Sequence, residues 1–334
     1  MASVAVTFVD VLRARKRLAP HILQTPLVSS SWLSDVVGAQ VRLKLESLQV
    51  SNSFKARGAF NAVIARLERG GPGSAPLVTA SAGNHGRALA AAAEAFHLPL
   101  TVFTPSDAPQ TKLAAIRRHG AELRADARDY DEAERLAKAF AAASGAVFIS
   151  PYNDADVIAG AGTIALEILE EAPEIDTMVV PIGGGGLISG VAVAAKTINP
   201  QLVVIGVEAE VSCAFQASVR AGHLVRIVPG VSIADGLGGN PDPDTITFGF
   251  IQRLVDRIVT VSEARLTAAI VGLVGTEHLV AEGAGAAGVA ALLGDRDGWK
   301  GRQVAVLVSG GNIDRQPLAA LLSCGGGFTP GTWD

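Results

Sequence analysis

Ser51-Asn52-Ser53-Phe54-Lys55-Ala56-Arg57-Gly58-Ala59 places one lysine directly behind an aromatic residue, after two good helix-capping residues and before a helical pattern. From Ala56 the apolar or small positions recur as Ala56, Ala59, Phe60, Val63, Ile64 and Leu67, the spacing of a helix face laid against a core. Asn52 or Ser53 is the expected N-cap. Lys55 then falls in the first turn, where unpaired backbone N–H groups and the helix dipole disfavour a further positive charge. An amine placed there gives up its proton more readily than one in water, as an imine-forming nucleophile must. An isolated first-turn lysine is ordinarily just solvated, so the reading of Lys55 depends on what accompanies it.

The chain of 334 residues has room for one large domain or two modest ones. Hydrophobic residues make up 49% and charged residues 18%, a composition that points to a compact soluble protein. A net charge of -4 without a basic stripe argues against a nucleic-acid surface. Cys213 and Cys324 stand far apart, so neither a disulfide framework nor a zinc site is suggested, and a reducing compartment fits. Arg13, Arg15, Lys16 and Arg17 interrupt any signal-peptide core, and apolar runs elsewhere break before spanning length. A cytoplasmic location away from membranes is expected.

Around the lysine the chain alternates strands and helices. Residues 8–19 predict an amphipathic helix and Thr25-Pro26-Leu27 a turn, while Val41 to Glu46 predicts a strand with one wet face. Gly70 to Gly73 predicts a loop. Strands are predicted at 77–80, 98–103, 121–124 and 146–149, with helices to about 97, at 110–119 and at 130–143. A second series follows from Pro151: helix 156–171, strand 177–182, a four-glycine loop, helix 187–198 and strand 202–207. Residues 222–249 are expected to be mainly loop, and helices near 263–279 and 284–293 precede a last strand, Gln303 to Val308. Two such series predict an α/β fold in two lobes with parallel sheets, and a ligand between them at the carboxyl ends of strands.

Gly183-Gly184-Gly185-Gly186-Leu187 follows an apolar strand and opens a helix, so its backbone N–H groups are arranged to receive an anion such as a phosphate. Neither G-x-G-x-x-G nor a Walker loop fits, because the sixth residue is Ile188 or Ser189 and Gly190 precedes Val191. Glu208, at the end of the next strand, keeps a nucleotide reading open. A glycine-rich turn that only lets helix and strand pack closely is a third possibility. Asn84 and His85 sit in a strand-to-helix loop of small residues, and Ser309 ends a buried strand.

Taken in order, Ser53-Phe54-Lys55-x-Arg57-Gly58-Ala59, Ser81-Ala82-Gly83-Asn84-His85-Gly86, Gly183 to Leu187 and Ser309-Gly310-Gly311-Asn312 resemble the fold type II pyridoxal-phosphate enzymes, the tryptophan synthase beta-like fold. Within that fold they are most similar to the threonine/serine dehydratase (threonine ammonia-lyase) and serine racemase group. The resemblance implies two lobes, each a mainly parallel twisted sheet flanked by helices: a small one over 48–148 and a large cofactor-binding one over 1–47 and 149–334. It implies pyridoxal phosphate joined covalently to Lys55, which also shuttles the Cα proton. Phe54 would pack against the pyridine ring and Asn84 would bond the ring hydroxyl. Gly183, Gly184, Gly185, Gly186 and Leu187 would hold the phosphate, and Ser309 would face the ring nitrogen. Ser81, Ala82, Gly83, Asn84 and His85 would hold the substrate carboxylate. A homodimer is implied as well.

The implied reaction is β-elimination from a β-hydroxy amino acid, giving a 2-oxo acid and ammonia. Threonine and serine are the first expectation for the substrate. 3-Hydroxyaspartate, phenylserine and hydroxylated amino acids from compatible solutes such as hydroxyectoine are rivals, and a nucleotide-dependent oxidoreductase is the reading from another class. Two positions depart from the pattern. Ala82 stands where racemases of the group place a serine acid/base, which implies elimination with little racemisation. Asn52 stands where glycine is usual. The resemblance also points to a divalent cation with Glu208 as first ligand, but Ala209 to Phe215 offers only Glu210 and lacks the aspartate expected further on. The six histidines show no paired ligand spacing, which argues against a catalytic metal.

Overall fold

Two separate sheets organise the chain, which is seen here as a computed structural model describing residues 6–70 and 75–324. The chain enters through α1 (Phe8–Leu18), β1 (Leu27–Ser29), α2 (Ser31–Val37) and β2 (Gln40–Leu45), then passes to α3 (Lys55–Glu68). A four-stranded sheet follows: β3 (Leu77–Ala80), α4 (Asn84–Ala95), β4 (Leu100–Pro105), α5 (Gln110–Arg117), β5 (Glu122–Ala127), α6 (Tyr130–Ser144) and β6 (Val147–Phe148). Its order is β5-β4-β3-β6, all parallel. The chain then returns through α7 (Ala155–Glu171), β7 (Thr177–Pro181), α8 (Gly186–Ile198), β8 (Val203–Ala209), α9 (Ala214–Ala221), α10 (Thr247–Leu254), β9 (Arg257–Val261), α11 (Glu263–Gly275), α12 (Gly283–Gly294), β10 (Gln303–Val308) and α13 (Arg315–Cys324). The second sheet has the order β1-β2-β10-β7-β8-β9, parallel except for the antiparallel edge pair of β1 with β2.

The parallel strands read as unbroken apolar runs because helices cover both faces. β7 (Thr-Met-Val-Val-Pro) is buried throughout, as is β10 from Val304 to Val308. Helices α7 and α8 supply one cover, rich in alanine, valine and isoleucine, and α11 and α12 supply another. Among the described residues no helix is long and apolar enough to cross a membrane.

The predicted elements are present, most with ends within two residues of expectation, while α2, α9, α10, β9 and α13 come in addition. These are short, and α2, α9 and α10 each complete a local turn over the large sheet that periodicity alone does not announce. Thr25-Pro26-Leu27 is not only a turn, since Leu27 opens β1. The predicted loop residues Gly71 to Gly73 lie outside the described residues.

Two local expectations are corrected. The N-cap of α3 is Phe54, with φ -52° and no side-chain cap, because Ser53 is drawn into an extended bridge with Gly310 and Asn52 is left-handed at φ 59°. The second concerns β2, which does not have a wet face at Lys44 or Glu46: both side chains are fully buried. Lys44 Nζ donates to Glu167 Oε2 and to the Thr25 carbonyl, each at 2.6 Å. Arg57 donates to both Glu46 and Glu167. Two cations therefore meet two anions in the interior, and removing one partner of such a cluster costs about 3–5 kcal/mol.

Candidate active site

Strand ends from both sheets meet at one cleft. β3 runs into Ser81 to His85, β6 into Ser150-Pro151-Tyr152, β7 into the glycine loop and β10 into Ser309 to Asn312. Carboxyl ends of parallel strands are where open α/β sheets take ligands.

Lys55 reaches into this cleft and donates from Nζ to the Pro151 carbonyl at 2.7 Å. Its ammonium also lies 5.1 Å from the centre of the Phe54 ring. Burial pushes its pKa down to about 8, with the Glu282 carboxylate opposing. The direction is the one expected from the helix start, but its cause is loss of solvent.

The loop that carries Lys55 is tied to the loop after β10. Phe54 N–H donates to the Ser309 carbonyl at 3.0 Å, Gly311 N–H donates to the Asn52 carbonyl at 3.0 Å, and Asn312 Nδ2 donates to the Ser51 carbonyl at 2.9 Å. Two sequence motifs more than 250 residues apart thus form one wall. Asn84 joins it at the first turn of α4: its Nδ2 donates to Glu282 Oε1 at 2.5 Å, and its Oδ1 accepts from Asn312 Nδ2 at 2.7 Å. Arg87 Nη1 in turn donates to Asn312 Oδ1 at 2.5 Å. Glu282 is buried, and desolvation raises its pKa to about 7 against the Asn84 hydrogen bond.

His85 is buried beside Lys55 with Nε2 facing the Ile149 carbonyl at 3.3 Å. A carbonyl partner assigns the proton to Nε2 and leaves Nδ1 as an acceptor that has no partner among the described residues. Burial, reinforced by the Lys55 charge, lowers the pKa to about 3, so the ring is neutral. Ser81 Oγ accepts from Gly83 N–H at 3.2 Å, within a loop that also contains Ala82. Ser309 Oγ is buried and makes a long 3.4 Å contact with the Ala284 carbonyl, which leaves capacity for a stronger partner.

The glycine loop has its own packing logic. A Cβ at residue 184 would meet Tyr152 Cγ at 2.2 Å, and one at residue 186 would meet Tyr152 Cα at 2.9 Å. At residue 183 it would meet the Gly236 carbonyl oxygen at 2.7 Å, and Gly185, the N-cap of α8, is left-handed at φ 84°. Glycine is thus demanded at each position by neighbouring protein or backbone shape, before any ligand is considered. Tyr152 follows the residue whose carbonyl accepts from Lys55, so the amine and the start of α8 are held on two faces of one short segment.

The chain matches a family model described as pyridoxal-phosphate dependent enzyme over residues 18–310. The chain belongs to the pyridoxal-phosphate dependent enzymes. Within this family it is 42% identical over 322 residues to the L-threonine ammonia-lyase of Thermotoga maritima, covering 96% of this chain and 79% of that protein. It is 37% identical to the L-threo-3-hydroxyaspartate ammonia-lyase of Saccharomyces cerevisiae, covering 95% and 96% respectively. Among solved structures, maize serine racemase superposes with a TM-score of 0.89 at 34% identity, covering 96% of this chain and 98% of that one. The two-sheet architecture is that of fold type II of the family.

The residues present fit its cofactor. One amine is partly desolvated beside an aromatic ring, a helix of 13 residues opens on glycine amides for a phosphate, and Ser309 Oγ and His85 Nδ1 are buried polar atoms with unused capacity. The motif residues come together in one cleft. Sequence reasoning missed Pro151, Tyr152, Glu282 and any role for Asn312. Glu282 had one readable signal, a lone acid inside the small-residue run Ala281-Glu282-Gly283-Ala284-Gly285; a backbone carbonyl such as that of Pro151 has none.

Glu208 behaves differently from the implied cation ligand. Its Oε1 accepts from Phe215 N–H at 2.9 Å and its Oε2 from Gln216 N–H at 2.8 Å, so both oxygens cap the first turn of α9. Among the described residues no group of three or more acidic, histidine or cysteine side chains could hold a metal ion. This donor set is a helix cap, and no step below passes through a cation.

Proposed function

We propose that the chain is a pyridoxal-phosphate-dependent ammonia-lyase, which eliminates water from a β-hydroxy amino acid of the threonine/serine kind and yields a 2-oxo acid and ammonia. One observation carries this reading: the Lys55 amine, with its pKa lowered, is held by the Pro151 carbonyl, one residue from the Tyr152 ring that packs on Gly184. When bound, pyridoxal phosphate supplies covalent attachment for the substrate amino group and an electron sink for Cα.

The chain's own residues supply the rest. Lys55 takes the proton from Cα; a pKa near 8 leaves a useful fraction of free amine at neutral pH. The Cα–H and Cβ–O bonds break, hydroxide leaves with a proton as water, and the released enamine adds water and loses ammonia. Amides of Gly183 to Leu187 would hold the phosphate, and Phe54 would flank the ring. Asn84, braced by Glu282 and Asn312, would bond the ring hydroxyl. Ser309 would offer the ring nitrogen a neutral hydroxyl partner. Residues Ser81 to His85, at the open first turn of α4, take the substrate carboxylate. The relatives named for threonine and for 3-hydroxyaspartate support the β-hydroxy amino acid class. The reading includes a cytoplasmic homodimer, in keeping with two cysteines of no disulfide spacing.

The test is to reconstitute the protein with pyridoxal phosphate, reduce it with borohydride and map the modified peptide, while assaying β-hydroxy amino acids for 2-oxo acid. Modification at Lys55 and turnover of at least one such substrate are expected. In Lys55→Ala, ammonia release should fall by at least about 1,000-fold. An unmodified Lys55, or turnover retained without it, would overturn the assignment.

A further inference from the structure

We infer that Arg57 is the positioning residue for Lys55, clamping the back of the first turn of α3 to the six-stranded sheet. This rests on the assignment of Lys55 above. Residues two apart on a helix point about 200° away from each other. Lys55 faces the cleft, so Arg57 faces the opposite way, into the interior, where it is fully buried.

All five guanidinium N–H groups are used there. Nε and Nη2 form a fork onto Glu46 at 2.8 and 2.7 Å, Nη1 and Nη2 a second fork onto Glu167 at 2.5 and 2.8 Å, and Nη1 also donates to Thr163 Oγ1 at 3.1 Å. Burial alone would weaken the charge on Arg57, but Glu46 and Glu167 more than offset it and raise the pKa. Lys44 of β2 balances the remaining charge on Glu167 at 2.6 Å, and Thr25 Oγ1 donates to Glu46 at 2.5 Å. The anchor points therefore belong to β2, the turn after it, and α7, all attached to the large sheet.

The backbone confirms how close that attachment is. A Cβ at Gly160 of α7 would meet the Arg57 carbonyl oxygen at 2.4 Å, and one at Gly58 would meet the Val157 carbonyl oxygen at 2.9 Å. The turn bearing Lys55 thus cannot shift against α7 without breaking the fork onto Glu167 and a close helix contact, nor against the end of β2 without breaking the fork onto Glu46. On this inference α3 travels with the six-stranded sheet, so the boundary between the lobes falls after α3 and not at residue 48. The amine then keeps a constant distance from the glycine loop.

The test compares the cofactor-loaded wild type with Arg57→Lys, which keeps the charge and loses the forks, and with Leu33→Ala, a core change remote from α3. Arg57→Lys should lower kcat by about 100-fold, the scale of a misplacement near 1 Å, with KM little changed. The pH midpoint at which the visible cofactor band titrates should move as well. Leu33→Ala, at temperatures where it is fully folded, should leave both unchanged. If Arg57→Lys does not fold, Thr163→Val removes one of the five bonds to Arg57, together with the bond from Thr163 Oγ1 to the Gly160 carbonyl within α7, and should give the same pattern on a smaller scale. Wild-type kcat and band titration in whichever of the two variants folds would overturn the inference, as would an equal loss in Leu33→Ala. If borohydride leaves the wild type unmodified at Lys55, the functional assignment fails instead, and the two failures are distinct.

Discussion

The Tyr152 ring lies across Gly184 so closely that a Cβ at residue 184 would come within 2.2 Å of its Cγ. The neighbouring Pro151 carbonyl accepts from Lys55 Nζ, and Tyr152 Oη accepts from Asp242 N–H at 3.0 Å. Gly184→Ala should therefore displace the ring and the carbonyl beside it together. Overpacking of this kind costs about 1–3 kcal/mol. The expected outcome is a lower melting temperature together with weaker retention of pyridoxal phosphate on dialysis; a variant that loses neither would show that Tyr152 moves freely.

Asn52 sits at φ 59° and Ser51 at φ 62°, two successive left-handed residues. Asparagine tolerates this region and glycine suits it better, which fits the residue found at position 52. Asn52→Gly should fold with stability within about 1 kcal/mol of wild type, whereas Asn52→Val should lose about 1–2 kcal/mol. Urea unfolding measures both.

Glu208 carries a pKa raised to about 7 by burial, against two backbone N–H groups that lower it. Between the ordinary carboxylate pKa and 7 the folded protein holds a proton that the unfolded chain has released. Its contribution is thus present in acid and is lost as pH rises through that window. Glu208→Gln should reduce the fall in stability between pH 4.5 and 7, followed by denaturant titration at each pH. As a helix cap with no cation, the site should also let the protein keep its melting temperature and activity in a chelator. A large loss on chelation, restored by magnesium or manganese, would refute the cap reading.

On the proposed placement of the substrate carboxylate at Ser81 to His85, Ala82 offers no proton donor, so proton transfer should come from the Lys55 side alone. Incubation of a substrate enantiomer in deuterium oxide should give 2-oxo acid without the mirror-image amino acid. Ala82→Ser should introduce measurable racemisation, detected by chiral chromatography. Racemisation by the wild type at a rate comparable with elimination would require a second base.

Much of the fold was legible because strand and helix periodicities are local properties. The apolar runs of β7 and β10 and the alternation in β2 were readable directly, and the motifs at Ser81, Gly183 and Ser309 each follow a strand end. The wet face assigned to β2 fails at Lys44 and Glu46 for a non-local reason, while Arg42 on the same face keeps contact with solvent. Alternation shows that Lys44 and Glu46 share a face, but only the arrival of α3 and α7 buries that face and pairs its charges with Arg57 and Glu167. Asn52 and Ser53 likewise looked like helix caps until the strand end at Gly310 claimed the backbone of Ser53.

The order of residues alone determined the class of fold, and it singled out Lys55, the glycine loop and the other motifs of the cleft, because strand and helix periods and the motifs themselves are each spacings within a few residues. Tertiary structure decided which groups surround that lysine: the Pro151 carbonyl and the acid at residue 282, with Tyr152 packed on Gly184 beside the first and Arg57 paired with Glu46 and Glu167 behind the helix. These are contacts between segments about 100 residues or more apart in several cases, and burial, which sets the pKa of Lys55, exists only once those segments have closed around it.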